Sequence, residues 1–239
     1  MPDIWALFPE YDCIAFDVNN KNKDSVLLIR SNRFIIKNQD YFWLSDEPLN
    51  KNRPEQPSWG GKSPRIVISA TLLDRQTYKE FIVFCTHFDS DGMESRIKSA
   101  EVLMQQLAKS PVNIPIILVG DFNFICTPPI ITKKSEEAYA LIAHNTGLHD
   151  VRDISGKNHY GPDGTWVGWP YDKYAAPFGT IGERLDHIFV RQCVVLKEGA
   201  LNLKVNNDLN ACINLVHNEF KNSGYPSDHL PIIADMLVQ

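Results

Sequence analysis

Short apolar runs of strand length recur along almost the whole chain, and this pattern constrains the fold more than any other feature of the sequence. The runs are DCIAFDV, SVLLIR, RFIIK, YFWL, RIVISATLLD, EFIVFCTHF, IPIILVG, LDHIFV, VVL and PIIADML. Several of them alternate apolar and polar residues, as half-buried strands do, and others are continuously apolar, as interior strands are. Residues 65–88 predict a hairpin that turns at residues 74–77.

Helical spacing is clearest between residues 92 and 109, where apolar residues recur on one face. Asp91 and Glu94 predict a capping pair at the start of this helix. Weaker helical patterns cover residues 135–145 and 209–221. Many strands with a few helices between them predict a sheet-rich α/β fold, in which two layers of sheet have helices outside them.

Composition and charge limit the classes of protein that this chain can belong to. The 239 residues are 44% hydrophobic and 22% charged, which predicts one soluble globular domain over residues 1–239. The net charge of -5 excludes a chain that binds nucleic acid through its overall charge. No apolar run is long enough to span a bilayer, and the first residues lack a signal-peptide pattern. Five widely spaced cysteines favour free thiols, so we expect a cytoplasmic protein.

Polar side chains stand where several of the apolar runs meet loops. They are His87 after EFIVFCT, Asp121 and Asn123 in ILVGDFN, Asp186 in RLDHIFV, and Asp228 and His229 in SDHLPI. Each motif taken alone is a weak signal and is better explained by ordinary turn chemistry, because Asp, Asn and Ser are common turn residues. Together at strand ends, where α/β enzymes collect their functional groups, they predict an active site.

The residue types suit cleavage of a phosphate ester. Asp121 could accept a proton from water, and Asn123 could orient that water. His229 could donate a hydrogen bond to a phosphoryl oxygen as a cation. Asp186 could hold that imidazole in its charged form, because a nearby carboxylate raises the pKa of a histidine.

The remaining candidates would bind a metal or the substrate. Asp228 offers a hard oxygen ligand of the kind that Mg²⁺ prefers, and His87 could bind a second phosphate oxygen. The candidates for substrate binding are Arg65, Arg184, Trp59 and Trp166, and Trp169 is a further candidate for the rim of the substrate site. For the two arginines, surface ion pairing is the alternative explanation.

The motifs occur in an order that resembles the endonuclease/exonuclease/phosphatase superfamily. They are WLSDEP, PSWGGKSPRIV, FCTHFDSDGMESRIKSA, ILVGDFN, RLDHIFV and SDHLPI, and the resemblance runs from about residue 7 to the end. It implies a DNase I-like, four-layer sandwich of two mostly antiparallel sheets flanked by helices. It also implies hydrolysis of phosphate esters with Mg²⁺ or Mn²⁺. The family's site roles fall on His87, Asp121, Asn123, Asp186, Asp228 and His229.

The N-terminal region departs from the family pattern. Family members begin with a strand that carries an active-site Asn and a second strand that ends in Gln-Glu, whose Glu is a metal ligand. Here MPDIWAL runs directly into FPEYD, so we expect an N-terminally shortened domain, either by deletion or because the chain begins late. The missing strands would leave sheet edges exposed, so we expect contacts in a homo-oligomer or a substitute strand to cover them.

Two functions remain open on the sequence. The first is divalent-metal-dependent hydrolysis of a small phosphodiester or phosphomonoester, or of nucleic acid, with activity impaired by the missing carboxylate. The acidic chain favours a small ester over long duplex DNA. The alternative is a non-catalytic descendant that keeps the cleft to bind phosphates or nucleotides.

Overall fold

The structure is a computed structural model that describes residues 8–16, 25–124, 133–160, 164–166, 183–200 and 228–239. Its strands are β1 (Tyr11–Ile14), β2 (Leu27–Arg30), β3 (Phe34–Trp43), β4 (Ile66–Asp74), β5 (Glu80–His87), β6 (Ile116–Asp121), β7 (His149–Asp150), β8 (His159–Tyr160), β9 (Asp186–Arg191), β10 (Cys193–Ala200) and β11 (Ile232–Val238). Its α-helices are α1 (Met93–Leu107), α2 (Lys133–Asn145) and α3 (Val151–Ser155).

A six-stranded mixed sheet in the order β3-β4-β5-β6-β9-β7 forms the centre of the fold. Its neighbouring strands are antiparallel except for β5 and β6, which run parallel. A parallel pair needs a crossover connection, and α1 supplies it. The carboxyl ends of β5 and β6 therefore lie side by side.

Two smaller sheets accompany the central one. One pairs β1 with β2, and the other has the order β11-β10-β8. One face of the central sheet packs against α1 and α2, through residues such as Leu103 and Ile142. The opposite face packs against β1 and β2 in one region and against β10 and β11 in another. This layering of sheets and helices is the predicted α/β sandwich.

The structure confirms the hairpin of β4 and β5 and the two helices predicted around residues 92–109 and 135–145. The weak helical pattern at 209–221 lies outside the described residues. RFIIK and YFWL, which we expected as separate strands, form the single strand β3, with a register shift between Ile36 and Asn38. A bulge of this kind lets one strand continue through a break in its alternating pattern.

The expected capping pair of α1 is wrong. The N-cap residue is Gly92, which makes no side-chain capping bond. The carboxylate of Asp89, two residues before Asp91, instead accepts hydrogen bonds from the backbone N–H groups of Asp91 and Gly92. Asp89 is fully buried, so its carboxylate satisfies these donors inside the protein.

Among the described residues, no helix combines the length and the apolar composition that a membrane span requires.

Candidate active site

The ends of three neighbouring strands bring the predicted carboxylates and imidazoles together. His87 at the end of β5 is paired in register with Asp121 at the end of β6. Asp121 is in turn paired with Asp186 at the start of β9. The strand pairing continues one step further, because the N–H of Phe88 donates to the carbonyl of Asp121 at 2.8 Å. The sheet itself therefore fixes the positions of these side chains.

The turn after β6 is built from its own side chains. Asn123 adopts a left-handed backbone conformation with φ of 52°, which Asn tolerates better than most residues. Its backbone N–H donates to Oδ1 of Asp121 at 2.9 Å, and its side-chain amide donates to the carbonyl of Phe88 at 3.0 Å. The flanking Phe122 and Phe124 are fully buried and stacked on each other. The buried rings anchor the turn and leave Asp121 and Asn123 at the cleft.

Two imidazoles face the carboxylate of Asp121. The Nε2 atom of His87 lies 3.5 Å from Oδ2 of Asp121, and the Nε2 atom of His229 lies 3.9 Å from the same oxygen. On its other side, Nδ1 of His229 forms a hydrogen bond of 2.7 Å with Oδ2 of Asp186. With Nδ1–H donated to Asp186, Nε2 of His229 points toward Asp121 and the cleft.

The electrostatics of this cluster shift two pKa values. Burial, together with the charge of Asp186, raises the pKa of Asp121 to about 6, although the Asn123 N–H and the charges of His229 and Arg65 oppose the shift. Burial by itself lowers the pKa of His229. The hydrogen bond and charge of Asp186, with the charges of Asp121 and Asp228, outweigh burial and raise this pKa. Asp121 therefore titrates close to neutrality, and His229 keeps its proton to higher pH than an ordinary histidine.

These groups line an open cleft of about 630 Å³. Its lining residues are Arg65, His87, Ser90, Asp121, Asn123, Trp166, Glu183, Leu185, Asp186, Asp228 and His229. Trp166 forms isolated β-bridges with Glu183 and His229, and its indole N–H lies 3.4 Å from Oδ2 of Asp228. The segment around Trp166 thus connects the start of β9 to the turn before β11.

Two predicted substrate-binding residues do not line this cleft. The indole of Trp59 donates to Oδ1 of Asp46 at 2.8 Å, and its ring packs against the core on the helix side. The guanidinium of Arg184 forms an ion pair of 2.5 Å with the buried carboxylate of Asp150. Trp169, a further candidate for the rim, lies outside the described residues. The ion-pair alternative thus describes Arg184, although its partner is buried and not on the surface.

Sequence reasoning missed Ser90, Glu183 and Leu185 in the cleft lining. Glu183 stands next to the RLDHIFV motif, but an acidic residue in a loop carries no signal that distinguishes it from a solvated one. Its backbone carbonyl accepts from the N–H groups of Thr165 and Trp166, at 2.9 and 2.8 Å, and this pairing of distant segments brings it to the cleft.

Arg65 reaches the cleft from a loop that Asp89 holds in place. The Asp89 carboxylate accepts from the backbone N–H groups of Lys62 and Ser63, at 2.6 and 3.3 Å, besides the two at the start of α1. Burial would raise the pKa of Asp89, but these N–H donors lower it below its usual range. Nε of Arg65 lies 4.0 Å from this carboxylate. The lowered pKa favours the ionised form of Asp89, whose charge lies near the Arg65 guanidinium beside the cleft.

The cluster of Asp121, Asp186 and His229 could hold a metal ion. One ligand atom from each residue lies within 4.8 Å of the others. Carboxylate oxygens suit Mg²⁺ and Mn²⁺, and an imidazole is a common ligand of heavier divalent ions. The donor set therefore fits a divalent cation.

The fold and the site define the class: a DNase I-like α/β sandwich whose cleft lies at the strand ends of the central sheet. The family model for the Endonuclease/Exonuclease/phosphatase family matches residues 25–229, and the chain belongs to this family. A structure of an endonuclease/exonuclease/phosphatase from Bacteroides vulgatus is similar, with a TM-score of 0.75 and 24% identity. The alignment covers 98% of this chain and 79% of that one.

Two further relatives extend the comparison. The structure of a mannosyl-6-phosphatase from Bacteroides thetaiotaomicron has a TM-score of 0.72 and 24% identity, covering 98% of this chain and 79% of that one. An uncharacterized protein of Acanthamoeba polyphaga mimivirus is 27% identical over 180 residues, which are 67% of this chain and 25% of that protein. The chain spans only 25% to 47% of the length of the curated relatives that it matches.

Proposed function

We propose that this protein hydrolyses a phosphate ester with the help of a divalent cation. The observation that carries the proposal is the convergence of Asp121 with the hydrogen-bonded pair of His229 and Asp186 in one open cleft. A base that takes a proton from water, and cationic groups that stabilise the charge on the phosphoryl oxygens, favour attack of water on phosphorus.

Asp121 is the proposed general base. Its pKa of about 6 leaves it ionised at neutral pH, yet basic enough to take a proton from an attacking water. Asn123 holds the Asp121 carboxylate through its backbone N–H, which fixes the direction from which a proton can be accepted. The attacking water would lie between Asp121 and the phosphorus atom.

His229 is the proposed donor to the developing charge on phosphoryl oxygen. Its pKa is raised chiefly by Asp186, so the imidazolium is populated near neutral pH. Arg65 and His87 line the same cleft and would hold the remaining phosphate oxygens.

We assign the cation to Asp228, which lines the same cleft. His229 cannot donate a proton from Nε2 and bind a metal there at once, and Asp121 serves as the base. When bound, Mg²⁺ or Mn²⁺ would neutralise phosphoryl oxygens and favour ionised carboxylates. Asp186 would then keep its role as the partner of Nδ1 of His229.

We infer a small phosphomonoester or phosphodiester as the substrate. Acidic side chains of Glu183 and Asp228 lie in the cleft lining, and the whole chain carries a net charge of -5. Such surroundings disfavour a long polyanion. One structural neighbour is a mannosyl-6-phosphatase, which is compatible with a small phosphomonoester here.

Hydrolysis of p-nitrophenyl phosphate and bis-p-nitrophenyl phosphate tests the proposal directly. We expect turnover that needs Mg²⁺ or Mn²⁺, stops with EDTA, and falls at least about 100-fold in Asp121→Ala and His229→Ala. His144→Ala, which changes an exposed histidine of α2, is the control and should keep the wild-type rate. Wild-type protein that turns over no ester with any cation contradicts the proposal. Calorimetric binding of phosphate or nucleotide without turnover would favour the non-catalytic alternative.

A further inference from the structure

A buried charge cluster lies behind the cleft, on the helix side of strand β9. Its centre is Asp150, whose side chain is fully buried at the junction of β7 and α3. His187 is also fully buried, among the rings of Phe122, Tyr139 and Phe189. The proposed reaction uses neither Asp150 nor His187.

The Asp150 carboxylate holds two side chains of one short segment. Its Oδ1 accepts from the Arg184 guanidinium at 2.5 Å, and its Oδ2 lies 2.8 Å from Nδ1 of His187. The backbone N–H of Arg152 also donates to it at 3.0 Å. Burial alone would raise the pKa of Asp150, but the hydrogen bond and charge of His187 and the charge of Arg184 lower it. The carboxylate is therefore ionised and linked to both side chains.

Arg184 and His187 bracket the residue that holds His229. Asp186 lies between them, and because side chains alternate along a strand, His187 points into the core while Asp186 points to the cleft. The Thr165 hydroxyl accepts from the backbone N–H groups of Leu185 and Asp186, at 3.0 and 3.1 Å. The entry to β9 is thus fixed by its pairing with β6, by Thr165 and by Asp150.

We propose that Asp150 is a positioning residue, which acts through Arg184 and His187 to hold Asp186 in hydrogen-bonding distance of His229. The inference rests on the proposed function for its catalytic consequence, although the positioning itself does not depend on turnover. Asp150 binds Arg184, just before β9, and His187, within β9, and it does not line the cleft. Loss of the contacts of Asp150 with Arg184 and His187 would let the backbone at 184–187 move. The hydrogen bond between Asp186 and His229 would then lengthen.

A purely structural role for Asp150 predicts a different outcome. Removal of the buried Asp150 charge, which is paired with both Arg184 and His187, should lower the stability of the protein under either explanation. Only a positioning role also changes the state of the His229 ring in protein that remains folded. The two explanations therefore separate in measurements made on the folded fraction.

Asp150→Asn keeps the shape of the side chain and removes its charge. We expect kcat for a model ester to fall about 10- to 100-fold, the scale on which supporting groups around a metal or catalytic site act, with KM changed less than about threefold. The ring nitrogen shifts of His229, recorded by long-range ¹H–¹⁵N NMR, should change as the hydrogen bond between Nδ1 and Asp186 weakens. Asp153→Asn is the matched control, because Asp153 is exposed and accepts from the same Tyr139 hydroxyl as Asp150, but among the described residues it makes no hydrogen bond to β9. It should leave both readouts at the wild-type values.

Arg184→Gln and Arg184→Lys serve where Asp150→Asn does not fold. Arg184→Gln removes one of the two side-chain contacts of Asp150, so kcat and the His229 shifts should change in the same direction as in Asp150→Asn but by less. Arg184→Lys returns the positive charge and should restore part of kcat. Folded Asp150→Asn or Arg184→Gln with unchanged His229 shifts and unchanged kcat overturns the inference. Absence of turnover by the wild-type protein overturns the proposed function instead. The positioning role of Asp150 is then tested by the His229 shifts of the variants alone.

Discussion

At the scale of single residues, the ionised Asp121 carboxylate that the proposed reaction needs lowers the stability of the folded protein. Its folded pKa is about 6, above the value of 3.8 for a free carboxyl group. The folded state therefore binds the proton more tightly than the unfolded chain does. The contribution of this group to stability is present at low pH and is lost as the pH rises through 3.8 and then 6. At neutral pH the ionised carboxylate destabilises the fold that holds it.

Asp121→Asn should therefore stabilise the metal-free protein at neutral pH while it abolishes turnover. One pKa unit corresponds to about 1.4 kcal/mol, and partial exposure reduces the effect, so we expect a gain of about 1 to 2 kcal/mol at pH 7.5. The amide oxygen can still accept from the Asn123 N–H. Urea unfolding in EDTA at pH 7.5 and 4.5 measures the change, and the gain should be smaller at pH 4.5. An equal gain at both values, or a loss, would show that ionisation of Asp121 is not the cause.

The same residues show how far a site can be read from sequence. Asp121 and Asn123 were predictable because a strand end and its turn are local, and Asp228 and His229 share that property. Trp59 and Arg184 were not, because their directions depend on partners far along the chain. Trp59 has a φ of 54° and bonds Asp46. No pattern near Arg184 indicates that Asp150 will lie beside it.

At the scale of elements, the close approach of β5 and β6 fixes the position of the turn that carries Asp121 and Asn123. A Cβ atom built on Gly120 would lie 2.0 Å from the carbonyl oxygen of Thr86, on the neighbouring strand. A backbone atom cannot move aside cheaply, so a side chain here must separate the two strands. Asp121, which follows directly, would move with β6.

Gly120→Ala should therefore damage both the fold and the site. We expect a loss of about 2 to 4 kcal/mol of unfolding free energy, in the range of other overpacked or strained positions. Gly60→Ala is the control, because Gly60 has a φ of 71° but no atom within 4 Å of the added Cβ. It should lose only about 1 kcal/mol, from backbone strain alone. Chemical denaturation of both variants gives the comparison, and equal losses would contradict the role of the close approach.

Helices and strands were predicted well where the apolar periodicity extended over many residues. They were predicted less well where tertiary contacts determine where an element begins and ends. The β4–β5 hairpin and α1 followed from their patterns. The two-residue strands β7 and β8 carry too few residues to show a period, and each exists through pairing with a distant strand. Gly92 is the N-cap of α1, and Asp89 satisfies the N–H groups of Asp91 and Gly92, which a local capping pattern cannot reveal.

At the scale of the whole molecule, different kinds of element cover the two faces of the central sheet. The central sheet is covered by helices on one face and by two small sheets on the other. Within the described residues, β11 pairs on one side with β10, and β1 pairs with β2. Edges and apolar faces of this kind favour association with another chain. The expectation of a homo-oligomer that covers the shortened N-terminal side therefore stays a prediction, and β10 and β11 offer a second surface on which association can be tested.

The outer face of β10 and β11 is the surface to change. Val194 and Leu237 are paired across the two strands and are 40% and 57% exposed, and Ile233 is 38% exposed. If a second copy covers them, wild-type protein should dimerise at concentrations on the order of 10 μM, in the usual range of modest apolar interfaces. The double change of Ile233→Lys and Leu237→Lys should keep the protein monomeric at about tenfold higher concentration, since a buried lysine opposes association. Val112→Lys alters an apolar residue that is 75% exposed elsewhere and should dimerise like the wild type. Sedimentation velocity distinguishes these outcomes, and a wild type that stays monomeric near 100 μM would show that no second copy binds this face.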